Sequence, residues 1–154
     1  MEIKVFDKEF VKRTKIVIEQ LSDDKCEYEV TLLINCMLAL VVLPIEQTSN
    51  SYRNEKFRSA ITDKLREMKV IKVSSDGTKL FRTIKNALSH MHIEIKNSNG
   101  KINEIVFWDV DPNLNRPHTI KQAHTVLRFS TSQLKEFSIF VADKHLERLS
   151  PERK

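Results

Sequence analysis

The 154-residue sequence predicts a single, mainly α-helical domain: an up-down bundle of four to five helices with a small β-hairpin inserted before the last one. Three observations predict it. Apolar residues recur three and four apart through most of the chain, the period of a helix with one buried face. Glycine and proline are scarce, at 2 and 4 residues, so little interrupts those helices. Only in 91-MHIEIKNSNGKINEIVFWDV-110 does the period fall to two, with Ile93 and Ile95 on one side of an Asn-Ser-Asn-Gly turn and Ile102, Ile105 and Phe107 on the other. The length is that of about one domain. Residues 1–150 are therefore read as one unit and residues 151–154, PERK, as a frayed tail.

The first helix spans residues 6–21, with Phe10, Val11, Val17, Ile18 and Leu21 among lysines and glutamates. Ser22-Asp23-Asp24 offers a turn and an N-cap for the second, residues 26–43, which is apolar nearly all round and belongs in the middle of the bundle or at a subunit interface. Pro44 ends or kinks it. After the polar loop 47-QTSNSYRN-54, a shorter helix runs over residues 55–68 on Phe57, Ile61, Leu65 and Met68. The stretch 70-VIKVSSDGTKL-80 holds a short strand and a turn at Asp76-Gly77. A helix over residues 78–90 follows, with Phe81, Ile84, Leu88 and Met91 as one buried stripe. Beyond the hairpin, 109-DVDPNLNRPHTIKQAH-124 reads as a loop. Ser130 and Gln133 form a capping box for the last helix, which carries Leu134, Phe137, Ile139, Phe140, Val141, Leu146 and Leu149.

The composition excludes several functions. A formal charge of +5, from 26 basic against 21 acidic residues scattered along the chain, permits a polyanionic partner without requiring one. With 2 glycines there is no phosphate-binding loop of the P-loop kind, and no nucleophile motif for acyl transfer is present. The amino terminus has charges every few residues and no apolar core of a signal peptide. The run 30-VTLLINCMLALVVLP-44 is too short for a membrane span, so no membrane association and a cytoplasmic location are expected. Cys26 and Cys36, about 15 Å apart on one helix, are beyond disulfide reach and read as reduced, buried thiols.

One stretch carries chemistry. In 82-RTIKNALSHMHIEI-95, setting Ile84 at zero and turning about 100° per residue puts Arg82, Asn86 and Ser89 opposite the apolar stripe, His90 on that polar side and Lys85 flanking it. The helix thus ends in an imidazole on a basic and polar ridge where the hairpin begins. Judged singly, Lys85 and Arg82 are solvated charges and His90 is a histidine favoured by the dipole at a helix C-terminus. His90 and His92 form an H-x-H pair, but no acidic or Cys ligand stands nearby in sequence, so neither a metal nor any other cofactor is called for. His118 and His124 in the loop and His145 on the last helix read as surface residues. Phe107 and Trp108 read as packing, and Asp109 and Asp111 as turn residues rather than a carboxylate pair.

The run 85-KNALSH-90 resembles the motif of the HEPN superfamily, small helical domains in which a helical Arg, commonly followed by Asn, precedes a His by four to six residues. Asn86 and His90 match it in type and spacing, and Lys85 stands where the motif has Arg. The apolar helix 32-LLINCMLALVVLPIE-46, the hairpin with its Phe-Trp-Asp and the Phe-rich last helix are also similar to a bacterial and plasmid-borne HEPN group, so the resemblance covers most of the chain. It implies a metal-independent endoribonuclease or RNA-binding protein of the toxin or phage-defence kind, with an antitoxin protein as a candidate partner. It also implies a homodimer in which the motif helices of two subunits face one another across a cleft. In that role His90 moves protons, Asn86 orients the phosphate, the ribose or the histidine, and the cation at Lys85 stabilises phosphate charge. Lysine lacks the planar fork of arginine, and Arg82, one turn before Asn86 on the same side, is expected to compensate. The alternatives are a degenerate HEPN domain that binds RNA or nucleotide, or dimerises as an adaptor, without cutting, and a generic helical interaction module.

Overall fold

The computed structural model describes residues 8–21, 27–43, 55–74 and 80–149. The sequence readings for Ser22-Asp23-Asp24, Cys26, Pro44, the 47–54 loop, the Asp76-Gly77 turn and the PERK tail lie outside these residues. The elements in chain order are α1 (Lys8–Gln20), α2 (Glu27–Met37) continuing through one π-helical turn (Leu38–Val42), α3 (Glu55–Glu67), β1 (Ile71–Ser74), α4 (Leu80–Ser89), β2 (Ile93–Ser98), β3 (Lys101–Asp109), a 3-10 turn (Ile120–Gln122), β4 (Thr125–Phe129) and α5 (Thr131–Leu149).

The fold is mainly α, as the periodicity predicts. Val30, Leu33, Met37 and Leu40 of α2 and its π turn are buried with Val11 and Ile18 of α1, Ile61 and Leu65 of α3, and Leu134, Phe137 and Val141 of α5. α1 lies along α5, and Lys15 joins them through Asp143 (2.7 Å). The capping box that opens α5 is formed: Ser130 N donates to Gln133 Oε1 at 3.0 Å and Gln133 N donates to Ser130 Oγ at 3.1 Å.

The β structure is larger than the expected hairpin. Four antiparallel strands form one sheet in the order β1-β4-β3-β2. β2 and β3 pair as predicted, with Ile93 opposite Phe107 and Ile95 opposite Ile105, around a tight turn whose Asn99 (φ 52°) and Gly100 (φ 74°) are both left-handed. β4 then pairs with the other edge of β3, Phe107 opposite Leu127, and β1 closes the sheet on β4. The alternation rule misses β4 because TVLRF is buried on both faces, so its apolar residues run together instead of alternating. β1 has only four residues, too few to show a period.

One sheet face, through Ile105, Phe107, Leu127 and Phe129, joins the helical core. The other carries Val106, Trp108, Val110 and Val126, covered by Ile120 and Ala123 of the 110–124 connector. What the sequence reads as a loop is therefore a packed strap.

Two side chains sit far from where the pattern puts them. Met91, expected at the end of the buried stripe, is 63 % exposed, because α4 stops at Ser89 and Met91 takes a left-handed φ of 54° that breaks the helical period. His145, expected at the surface, is 1 % exposed. The Leu40 carbonyl lies in the π-helical turn of Leu38–Val42. His145 Nε2 donates to this carbonyl at 2.6 Å, while Arg148 Nη2 donates to Nδ1 at 3.2 Å. The imidazole also packs on Phe57, with centroids 4.6 Å apart. Both nitrogens are used by the neutral ring, and burial pushes its pKa down from 6.5 to about 4.

The unfolded chain therefore takes up a proton at this site that the folded chain refuses. The stabilisation is full above about pH 6.5, declines as pH falls and levels off near pH 4, where the loss amounts to about 3 kcal/mol. Urea unfolding at pH 7 and pH 4.5 measures this, and His145→Gln is expected to flatten the dependence.

Candidate functional site

The cleft is built on α4. Leu80, Phe81, Ile84, Ala87 and Leu88 anchor one face of this helix in the core, so the other face, with Arg82, Asn86 and His90, turns outward. Its C-terminus is closed by a Schellman arrangement in which His92 N donates to the Ala87 carbonyl (2.9 Å) and Met91 N to the Leu88 carbonyl (3.4 Å). The position usually taken by glycine is Met91, whose left-handed backbone reverses the chain and brings the rings of His90 and His92 to 5.7 Å.

A cavity of about 780 Å³ opens between this helix end, the end of β3 and the strap. Arg82, Asn86 and His90 line it from α4, Asp109 from β3, and Arg116 and His118 from the strap, with His92 and His124 beside them. Of the chain's five histidines, four are here. Three of the four sequence-predicted site residues thus share one wall. Lys85 stands beside the cleft, its Nζ donating to Asn86 Oδ1 at 3.2 Å.

Asp109 ties the walls together. It is 6 % exposed and accepts from Asn86 Nδ2 (3.1 Å, Oδ2) and from the backbone N–H of Val110 (3.0 Å, Oδ1), while His124 Nε2 lies 3.7 Å from Oδ2. His124 is held from its other side, with Nδ1 at 2.8 Å from Thr125 Oγ1, and its backbone N–H donates to the Asp109 carbonyl (3.0 Å). Asp111 has the turn role the sequence assigns, its carboxylate accepting from Asn113 N (2.9 Å). Trp108 is packing, as expected, but its partner is His92: the rings stack at 4.1 Å and 7°. Burial, then the neighbouring His90 and His118, push the His92 pKa down, against the pull of Asp109.

His118 and His124 correct the surface assignment. The strap's apolar contacts hold them half-buried in the cleft, and no local pattern in 109–124 announces that, since it depends on which sheet face Ile120 and Ala123 cover. Asp109 was legible only as a turn residue because its partner Asn86 is 23 positions away. Neither Arg82 nor Arg116 forms an ion pair with a described residue, so the cleft presents two uncommitted guanidinium groups. Among the described residues no three His, Cys, Asp or Glu side chains gather to hold a metal ion, and no helix is long and apolar enough to cross a membrane.

Fold and cleft define a small, mainly α-helical domain whose polar site is organised on one motif helix, the class to which the sequence resemblance points. The family model HEPN pEK499 p136 matches residues 1–152, and the chain belongs to this plasmid-derived family of the HEPN superfamily. No curated protein and no solved structure matches it.

Replacing Asp109 by Ala leaves the Asn86 amide and the Val110 N–H without their acceptor. The expected loss is about 1–3 kcal/mol, read as a lower urea midpoint at unchanged slope.

Proposed function

We propose that the protein is a metal-independent endoribonuclease of the toxin or phage-defence kind, acting as a homodimer whose motif helices face each other, with RNA held along the cleft. HEPN domains as a class act on RNA or bind it. The observation that carries the reading for this chain is the convergence of Arg82, Asn86 and His90 with Arg116 on one polar cavity. Cleavage by the RNA's own 2′-hydroxyl needs proton transfer and a cation for the charge growing on phosphorus, and these residue types supply both without a metal.

On this reading the roles that the motif implies are redistributed. Lys85 is engaged with Asn86, and Asn86 with Asp109, so both serve to position the helix end. Phosphate contact falls to Arg82 and Arg116, whose planar guanidinium groups can meet two phosphate oxygens at once. The same Lys85–Asn86–Asp109 chain favours a second reading, a domain that binds RNA without cutting, because it occupies motif groups that a phosphate would otherwise recruit.

Incubating purified protein with mixed RNA in EDTA separates the two. Under the first reading the wild type cleaves and His90→Ala falls by about 100-fold or more; a folded dimer that binds RNA but leaves it intact supports the second. In either case Arg82→Ala is expected to weaken RNA binding and to lower the slope of log affinity against log salt by about one, with Lys85→Ala having the smaller effect. Light scattering should report a dimer; a monomer that cleaves RNA overturns the paired-helix arrangement.

A further inference from the structure

We propose that His92 is the general base of this reaction and His90 its acid, so that a single chain carries the complete proton-transfer pair; the proposal rests on the endoribonuclease reading above. The HEPN resemblance singles out only the histidine that ends the helix. The structure adds the next but one, and three features distinguish it from the other histidines of the cleft.

The first is position. The left-handed Met91 turns the chain so that the His90 and His92 rings lie 5.7 Å apart and tilted by 35°, with His118 edge-on to His92 at 6.0 Å. Both rings line the same cavity, so one phosphodiester bound there comes within hydrogen-bond reach, about 3 Å, of each. The second is orientation. Trp108 backs the His92 ring at 4.1 Å, and the backbone on either side is fixed, His92 N on the Ala87 carbonyl and the His92 carbonyl on Trp108 N (3.1 Å). The third is that a ring nitrogen is available: among the described residues neither nitrogen has a hydrogen-bond partner, and since only Nδ1 is shut away from solvent, Nε2 is the one left to meet a substrate in the cavity that His92 lines. His118, by contrast, donates Nε2 to the Leu114 carbonyl (3.0 Å), and His124 is held between Thr125 and Asp109.

The surroundings also select the uncharged form that a base requires. Burial, then the flanking His90 and His118, disfavour a charge on His92, and Asp109 opposes them. In the reaction, neutral His92 takes the proton of the 2′-hydroxyl as the 2′-oxygen bonds to phosphorus. The bond from phosphorus to the 5′-oxygen breaks, and protonated His90 gives its proton to that oxygen. The products are a 2′,3′-cyclic phosphate and a 5′-hydroxyl, and the pair ends with one proton exchanged between its members, to be restored through solvent.

A leaving group that needs no proton tests the assignment. Two RNA oligonucleotides are compared in EDTA, one natural and one with sulfur in place of the 5′-oxygen at a single linkage, since a thiolate departs unprotonated. His92→Phe, which keeps a ring to stack on Trp108, is expected to bind RNA like the wild type and to cleave both substrates about 100-fold more slowly. His90→Ala is expected to lose the natural substrate and regain the sulfur one. His92→Ala should recover activity with added imidazole, which decides the matter if the Phe variant does not fold. Wild-type cleavage undiminished by His92→Phe, sulfur rescue of His92→Phe, or no recovery with imidazole overturns the proposal while leaving the endoribonuclease reading intact. Failure of the wild type on both substrates overturns that reading, and the pair with it.

Discussion

The structure depends on β3 being covered on both faces. A lone hairpin needs one apolar face; here Ile105 and Phe107 enter the helical core while Val106 and Trp108, on the opposite side, are also removed from water. Neither face of a strand bearing such residues can be left to solvent. Helices satisfy the first, and the second obliges the 110–124 segment to fold back over the sheet. The position of the strap, and hence of Arg116 and His118, is therefore a consequence of hydrophobic burial several residues away. The cleft is what remains between this strap and the end of α4.

The motif helix meets β3 through a polar contact as well as through the apolar core they share. Asp109, the last residue of the strand, reaches Asn86, and the two walls of the site are fixed relative to one another by a buried carboxylate. Lys85, flanking the polar face of that helix, is drawn toward Asn86. That leaves Arg82, one turn earlier, as the helix's own cation in the cleft wall.

Most of the helices were legible because each carries a strong period: Phe57, Ile61 and Leu65 on α3, or Phe81, Ile84 and Leu88 on α4, are buried as their spacing requires. The β2–β3 hairpin was legible from its Asn-Gly turn. β4 was not, since burial on both faces erases the alternation by which a strand is recognised. Within the site, Arg82, Asn86 and His90 could be brought together on paper because helical geometry relates them locally. Asp109, His118 and His124 could not, as their places are set by contacts between distant segments. His145 illustrates the same limit from inside the core: its hydrogen-bond partner is a carbonyl on another helix, 105 positions away.

The left-handed turn at Met91 has a consequence for how durable the site is. A side chain at that backbone conformation costs roughly 1–2 kcal/mol. The chain accepts this at an exposed residue whose own side chain makes little of the core. The registration of His90 with His92 is thus written into the main chain, in the terminal hydrogen bonds of α4, with the Trp108 ring as the backing of His92. Such a site tolerates drift in its surroundings. Residues across the cleft can change identity without disturbing the spacing of the two rings, whereas lengthening or shortening the helix end by one residue would destroy it at once.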